Sequence, residues 1–391
     1  MFAIGSLVGL LSTGLPAQQP FPGVLPGMEI GATPLPGSFE PSGAIWHPLL
    51  QRLFLVSDSG LVASMQPDGS GLQLTVLPGD LEAVTYVDYA DGRLYIGREN
   101  PDAILEYDLA TESVLRTFDL TAFMTGPANQ GLEALTFVPM AGHAEGGEFW
   151  AGLQDTGEIF RFELPLQSSA TSSVVNFLGT FRSGPALEDI SGMHYDRANA
   201  TLYSIHDRFD VLRAGPGLGA PLDGEWTLPG NAQEGFAMDG CGQLFLAEDV
   251  GPEVWVYQSF PTSFPSTWSN YGVGHPGTLG VPSLTLSADP VIGTTPIVEI
   301  GNSLGASMLA TVVMGLAQTA LPTGWGGTLL VDNFLLTETF VADSTGTDMP
   351  LALPDDPGLC GLPLNIQVAE FDPGASLGIS FSRGLALVVG R

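Results

Sequence analysis

Five times along the chain the same short pattern opens a strand-like run. The copies are Pro41-Ser42-Gly43-Ala44-Ile45, Leu81-Glu82-Ala83-Val84-Thr85, Leu132-Glu133-Ala134-Leu135-Thr136, Ile190-Ser191-Gly192-Met193-His194 and Gln233-Glu234-Gly235-Phe236-Ala237. The second position is Glu or Ser, the third is Gly or Ala, and apolar residues follow. Successive copies lie 40, 51, 58 and 43 residues apart. A unit of that size with several short strands is too small to bury its own apolar faces, and stacking such units radially predicts a β-propeller. The first strand of a blade lines the central channel, so the second position of the pattern also nominates a site.

Each copy reads as four strands. In the second, Ala83–Val87 is the inner strand, Asp88–Gly92 a turn, and Leu94–Gly97, Ile104–Asp108 and Val114–Phe118 the strands that follow. The fifth copy stops at Val254–Tyr257 with no outer strand. Two outer strands end in Thr75-Val76-Leu77-Pro78-Gly79 and Trp226-Thr227-Leu228-Pro229-Gly230, and Thr33-Pro34-Leu35-Pro36-Gly37 stands before the first copy. That segment is therefore expected to supply the missing strand and close a five-bladed ring, removing exposed edges. A degenerate sixth copy would make it six-bladed.

The expected organisation is a secretory signal over 1–17, a propeller over 28–257, a Ser/Thr/Pro-rich linker over 258–270 and a small antiparallel β-sandwich over 271–391. The signal is atypical, because no basic residue precedes its apolar run. Secretion or attachment to the cell envelope is expected, with no membrane-spanning segment; the other apolar run, Leu304 to Leu316, is too short to span a bilayer.

The formal net charge is −31, from 42 acids against 11 cations, all of them Arg. Such a field repels nucleic acid and anionic membranes and favours cations or basic partners; it also fits plain solubility or salt adaptation. The two cysteines, Cys241 and Cys360, make no disulfide framework. They read as two lone thiols rather than one inter-domain bridge.

If the ring closes, Ser42, Glu82, Glu133, Ser191 and Glu234 sit at one level around the axis. Three carboxylates there would raise one another's pKa. A bound Ca²⁺ resolves that cost with carboxylate and hydroxyl ligands; the alternative is that the Glu side chains stitch neighbouring blades through backbone amides. A second level comes from the ends of the second strands, at Asp58, Glu99, Gln154, Asp207 and Asp249. This predicts an acidic channel mouth, with Arg98, His206 and Glu248 one residue earlier and Asp155 and Asp189 nearby. His206 with Asp207 is the pair most like a general base and its carboxylate, although neighbours on a strand face opposite ways. His47, His143, His194 and His275 have no ligand spacing and read as structural. No phosphate loop, nucleophile elbow, zinc helix or EF-hand loop is present.

The repeated Leu-Glu-Ala/Gly starts, each followed by a Leu-Tyr/Phe strand ending in an acid, resemble the SdiA-regulated (YjiK-like) propeller family over residues 28–257. They resemble phytase-like esterase propellers more distantly. The resemblance implies a secreted or envelope-associated propeller, with a divalent cation and no settled reaction. The segment Tyr271–Gly277 and the closing Leu364-Asn365-Ile366-Gln367 resemble a C-terminal β module of secreted bacterial proteins. Its copies often carry Cys where His275 stands here, which implies that Cys360 lacks a partner. The expected function is a monomeric binding or scaffold module for a small molecule or cell-surface component, with Ca²⁺ in the acidic channel. The alternative is a Ca²⁺-dependent hydrolase of an ester, lactone or phosphoester, with His206 as base. A purely structural protein with an empty channel is the third reading.

Overall fold

The computed structural model describes residues 18–88, 92–186, 188–261, 266–356 and 359–391. The expected signal over 1–17 lies outside the described residues. The chain divides into two compact units, Met1–Pro261 and Thr262–Arg391. Among the described residues both are built of strands, and no helix is long and apolar enough to cross a membrane.

The first unit holds antiparallel sheets of four strands. In chain order they are β2–β5 (Pro41–His47, Arg52–Ser57, Leu61–Met65, Gln73–Val76), β6–β9 (Asp80–Thr85, Arg93–Glu99, Ala103–Asp108, Ser113–Asp119) and β10–β13 (Leu132–Pro139, Gly147–Leu153, Glu158–Glu163, Asn176–Phe181). Then come β14–β17 (Gly192–Asp196, Thr201–His206, Val211–Gly215, Gly224–Thr227) and β18–β20 (Gln233–Met238, Leu244–Asp249, Pro252–Tyr257). The last sheet takes its fourth strand from the N-terminal segment, as β1 (Met28–Glu29), with Met28 opposite Val256 and Glu29 opposite Trp255. This corrects the expected position of that strand: Thr33–Gly37 forms turns, and the likeness to other outer-strand ends misled. Each pattern strand is innermost in its sheet, and β2 neighbours β6, β6 β10, β10 β14, β14 β18, and β18 β2.

The third position of the pattern follows from that contact. A Cβ on Gly235 would stand 2.5 Å from the Ala44 nitrogen, one on Gly43 2.7 Å from the Ala83 Cα, and one on Gly192 2.2 Å from the Glu234 carbonyl oxygen. Neighbouring inner strands pack backbone to backbone, and only Gly or Ala fits. The apolar residue opening three copies, Leu81, Leu132 or Ile190, is wholly buried. Leu132 and Ile190 lean on Gly97 and Gly152 of the preceding sheet. Aromatic and branched side chains such as Tyr95, Phe118, Phe149 and Phe162 fill the space between sheets.

The second unit starts earlier than the sequence suggests. Thr267–Tyr271 is strand β21, paired with β29 (Gly384–Val388), so Thr267–Asn270 belongs to a sheet rather than a linker. At the other end Phe260 is buried in the core of the first unit. One sheet runs β21, β29, β27 (Pro363–Phe371), β24 (Met308–Pro322), β25 (Thr328–Ala342), with β28 (Ile379–Phe381) also on β27. A second sheet comprises β22 (Leu284–Leu286), β23 (Ile297–Ile300) and β26 (Thr347–Pro350). Leu286, Val298 and Ile300 of the smaller sheet share one core with Val312, Ile366, Val368 and Leu385 of the larger. Cys241 and Cys360 are both disulfide-bonded. This corrects the reading as lone thiols and the implication that Cys360 lacks a partner.

Candidate functional site

In four of the five inner strands the Glu or Ser of the pattern is an extra residue in the ladder. Pairing jumps from Pro41 to Gly43, from Leu81 to Ala83, from Leu132 to Ala134 and from Gln233 to Phe236. These are β-bulges, which re-aim a side chain and release it from pairing. In the fifth copy Ser191 precedes β14, and its N–H bonds the Ile205 carbonyl. Ser42, Glu82, Glu133 and Ser191, four of the five pattern residues, line a narrow waist. Ser42, Glu82, Glu133 and Glu234 also floor a wider cavity of about 160 Å³, walled by Asp58, Asp80, Glu99, Asn129, Gln154 and Asp249.

That cavity presents seven carboxyl groups and no basic residue. The consequence is written in their titration. Burial, together with the hydrogen bond and charge of Asp80 and the charges of Glu99 and Asp58, pushes Glu82 up to about 9. Burial raises Glu133 well above the usual carboxylate range, and Glu82, Glu234, Glu99 and Asp80 add to it. Glu234 is raised in the same way, by burial first and then by Asp207, Glu82, Asp249 and Asp189. Its Oε2 is buried with no hydrogen-bond partner. A buried acid left like this is costly unless it is protonated or matched by a cation.

One group of ligands is already close. Carboxylate oxygens of Asp80, Glu82 and Glu99 lie within 4.8 Å of one another. Asp80 and Glu99 are cross-strand partners at the ends of β6 and β7, and the bulge at Glu82 brings the third acid beside them. The Asn100 amide reaches Asp80 Oδ2 at 3.0 Å, Glu99 Oε2 at 2.6 Å and Asn129 Oδ1 at 3.1 Å. Both asparagines have left-handed backbone, with φ of 44° and 58°, which Asn tolerates better than most residues. Asp80, Asn100 and Asn129 went unread in the sequence. The available signal was Asp80 two residues before Glu82 on a strand, where like faces recur.

Stitching between sheets is present but uses other acids. Glu99 Oε1 accepts the Gly131 N–H, and Asp102 Oδ1 accepts the Leu132 N–H at 3.0 Å. Of the five pattern residues, Ser191 stitches, its hydroxyl donating to the Gln233 carbonyl at 2.7 Å.

The mouth residues divide. Asp58, Glu99, Gln154 and Asp249 line the cavity. Asp207, at the start of a short 3-10 turn over Asp207–Phe209, lies near enough to raise Glu234. Burial and a shared hydrogen bond with Asp189 push Asp207 up to about 7. Arg98 does not line the cavity: it pairs with Leu81, packs on Gly79 and donates to the Pro101 carbonyl at 3.4 Å. Strand alternation sends it away from Glu99. Glu248 is buried against Gly230.

His206 is likewise not at the axis. It is 1 % exposed; Nδ1–H donates to the Asp189 carbonyl, and Nε2 faces the Ser204 hydroxyl at 3.1 Å and that of Ser183 at 3.4 Å. Burial, helped by the Arg213 charge, brings its pKa down to about 4. A neutral imidazole locked between a carbonyl and two hydroxyls positions the loop bearing Asp189, in a setting sealed from solvent.

Strands stacked around an axis lined by bulged acids define a protein of the β-propeller class. The chain belongs to the SdiA-regulated family, which it matches over residues 27–256, more than half its length. No curated protein matches it. Among solved structures it is similar to a glutaminyl cyclase from Myxococcus xanthus, at 12% identity and a TM-score of 0.44 over 61% of this chain and 98% of that one. It is also similar to a streptogramin B lyase (11%, 0.35, 92% and 97%) and to the virginiamycin B lyase of Staphylococcus aureus (13%, 0.34, 57% and 68%).

Proposed function

We propose that this is a secreted five-bladed propeller, closed by its N-terminal strand, that binds Ca²⁺ at the axial mouth and acts as a binding module. The observation carrying the reading is the Asp80, Glu82 and Glu99 oxygen set beside Glu133 and Glu234, in a cavity without a basic residue. Hard oxygen ligands, carboxylates above all, suit Ca²⁺, which accepts six to eight of them in flexible geometry. Asp80, Glu82 and Glu99 are the first ligands, with Glu133 and Ser42 within the same cavity. The ion would hold the carboxylates ionised and leave positions open toward the mouth, where a small molecule or a cell-surface group with donor oxygens would complete its shell. The hydrolase alternative loses its base with His206.

The test is calorimetric titration of metal-free protein with Ca²⁺ at pH 8. The reading predicts saturable binding with proton release, since ligands protonated in the metal-free state must ionise. Glu99→Gln should weaken affinity at least tenfold, while Arg98→Ala leaves it unchanged within about twofold. Absence of binding heat in two buffers of different ionisation enthalpy would overturn it.

A further inference from the structure

The connections from one sheet to the next are unequal. Residues 77–79 carry β5 to β6, whereas residues 120–131 carry β9 to β10. Both ends of the longer connection are tied down. The Leu120 N–H donates to the Asp102 carbonyl at 2.9 Å and the Met124 N–H to the Leu120 carbonyl at 3.0 Å, while the Gly131 carbonyl accepts the Gln154 N–H at 2.9 Å. Met124 is buried, and residues 125–128 between the ties are exposed. This loop walls a cavity of about 270 Å³, larger than the mouth cavity of about 160 Å³. Glu99 lines both, so the two cavities adjoin at that side chain.

The lining decides what could enter. No basic residue faces this cavity. Its amide donors are already spent: the Gly131 N–H on Glu99 Oε1, and the Asn100 side chain on Asp80, Glu99 and Asn129. An anion would therefore meet acids and no donor. Each Glu99 oxygen is taken by one of those amides. Asp102 differs: Oδ1 accepts the Leu132 N–H, and Oδ2 accepts nothing from the described residues. The Thr121 hydroxyl donates to Asp119 Oδ1 at 2.6 Å and keeps its lone pairs. The exposed Thr125 hydroxyl can donate or accept. Met124, Pro127 and Ala128 supply an apolar wall. A matching ligand carries hydroxyls along one edge, C–H groups over one face and no negative charge. A sugar ring has that form, and a small, mostly pre-formed cavity with a few placed polar groups is the usual setting for such a ligand.

We propose that the cavity between Glu99, Asp102 and the 120–131 loop binds one neutral sugar ring, with its hydroxyls on Asp102 and Thr125 and its C–H face on Met124 and Pro127. The inference rests on the reading of this protein as a binding module and names the ligand class, but it does not depend on the Ca²⁺ ligands.

The experiment is calorimetric titration with the methyl glycosides of glucose, galactose, mannose and N-acetylglucosamine, and with ethylamine as a cationic probe. It compares the wild type, Asp102→Asn and Ala128→Phe, each checked for a cooperative unfolding transition. Saturable binding of a glycoside that weakens at least tenfold in Asp102→Asn and is lost in Ala128→Phe supports the proposal. Glycoside binding unchanged in both variants, binding of ethylamine alone, or no binding at all overturns it. Ca²⁺ titration of the same samples keeps the two readings apart: a wild type that binds a glycoside but no Ca²⁺ overturns the cation site and supports this one, and the reverse result overturns this one alone. Ala128 is exposed, so Ala128→Phe should fold and decides the matter if Asp102→Asn does not.

Discussion

Asp372 in the second unit and Glu133 in the first are both buried acids, and their surroundings are opposite. Asp372 is wholly buried, yet its oxygens accept the Thr278 N–H at 2.6 Å, the Thr278 hydroxyl at 2.7 Å, the Gly374 N–H at 2.8 Å and the Ser303 hydroxyl at 2.9 Å. Burial pushes its pKa up, but those four donors outweigh it and hold the carboxyl below its usual range. Glu133 has burial and four like charges around it and is driven upward. The first is a carboxylate serving the fold, latching the 274–280 loop to the 372–378 loop. The second is a carboxylate the fold does not neutralise. Low exposure alone therefore separates nothing; the count of donors aimed at the acid does.

Amide substitutions sharpen this contrast. Asp372→Asn turns an acceptor into a group whose NH₂ meets Thr278 and Gly374 donors. It should destabilise the second unit by about 3 kcal/mol, read as an earlier calorimetric transition. A loss under about 1 kcal/mol would mean the four hydrogen bonds are not the latch.

The pH dependence is the second test. Glu82 titrates near 9 in the folded protein against an ordinary 4.5. The folded state thus keeps a proton that the unfolded chain gives up. The stability this contributes is full below about 4.5 and falls as pH rises, until it is gone above about 9. Metal-free propeller should lose thermal stability steadily from pH 5 to 9, and Glu82→Gln should flatten that slope. A metal-free stability that rises with pH across this window would contradict the assignment.

The smallest effect separates the two acids most cleanly. In metal-free protein at pH 8, Glu133→Gln should stabilise the first unit by about 1 kcal/mol, because it removes a buried acid whose raised pKa makes folding less favourable at this pH. A cost comparable to that of Asp372→Asn would show that Glu133 serves the fold as Asp372 does.

Much of this was legible in the sequence, for a physical reason. The inner strands pack so closely that Gly43, Gly192 and Gly235 admit no larger side chain, so the pattern survives as letters. The axial acids came with it. Features that depend on three-dimensional register left no such trace. The β1 strand is two residues long, too short for any alternation. The bulges themselves are insertions in pairing, invisible until a partner strand is placed. In the second unit β25 is exposed through Asn333–Thr339, so Phe334-Leu335-Leu336 shows no inside–outside alternation, and only Thr328–Val331 read as a strand.

The central claim is that the axial carboxylates await a cation, and thermal unfolding of the first unit at pH 8 tests it most directly. A ligand that binds only the folded state adds about 2.7 kcal/mol at a hundredfold excess over its Kd. The account predicts a low midpoint in EDTA, a rise with each increment of Ca²⁺, and a weaker rise in Glu133→Gln. A midpoint identical in EDTA and in saturating Ca²⁺ would contradict it and leave the mouth as a ring of protonated acids.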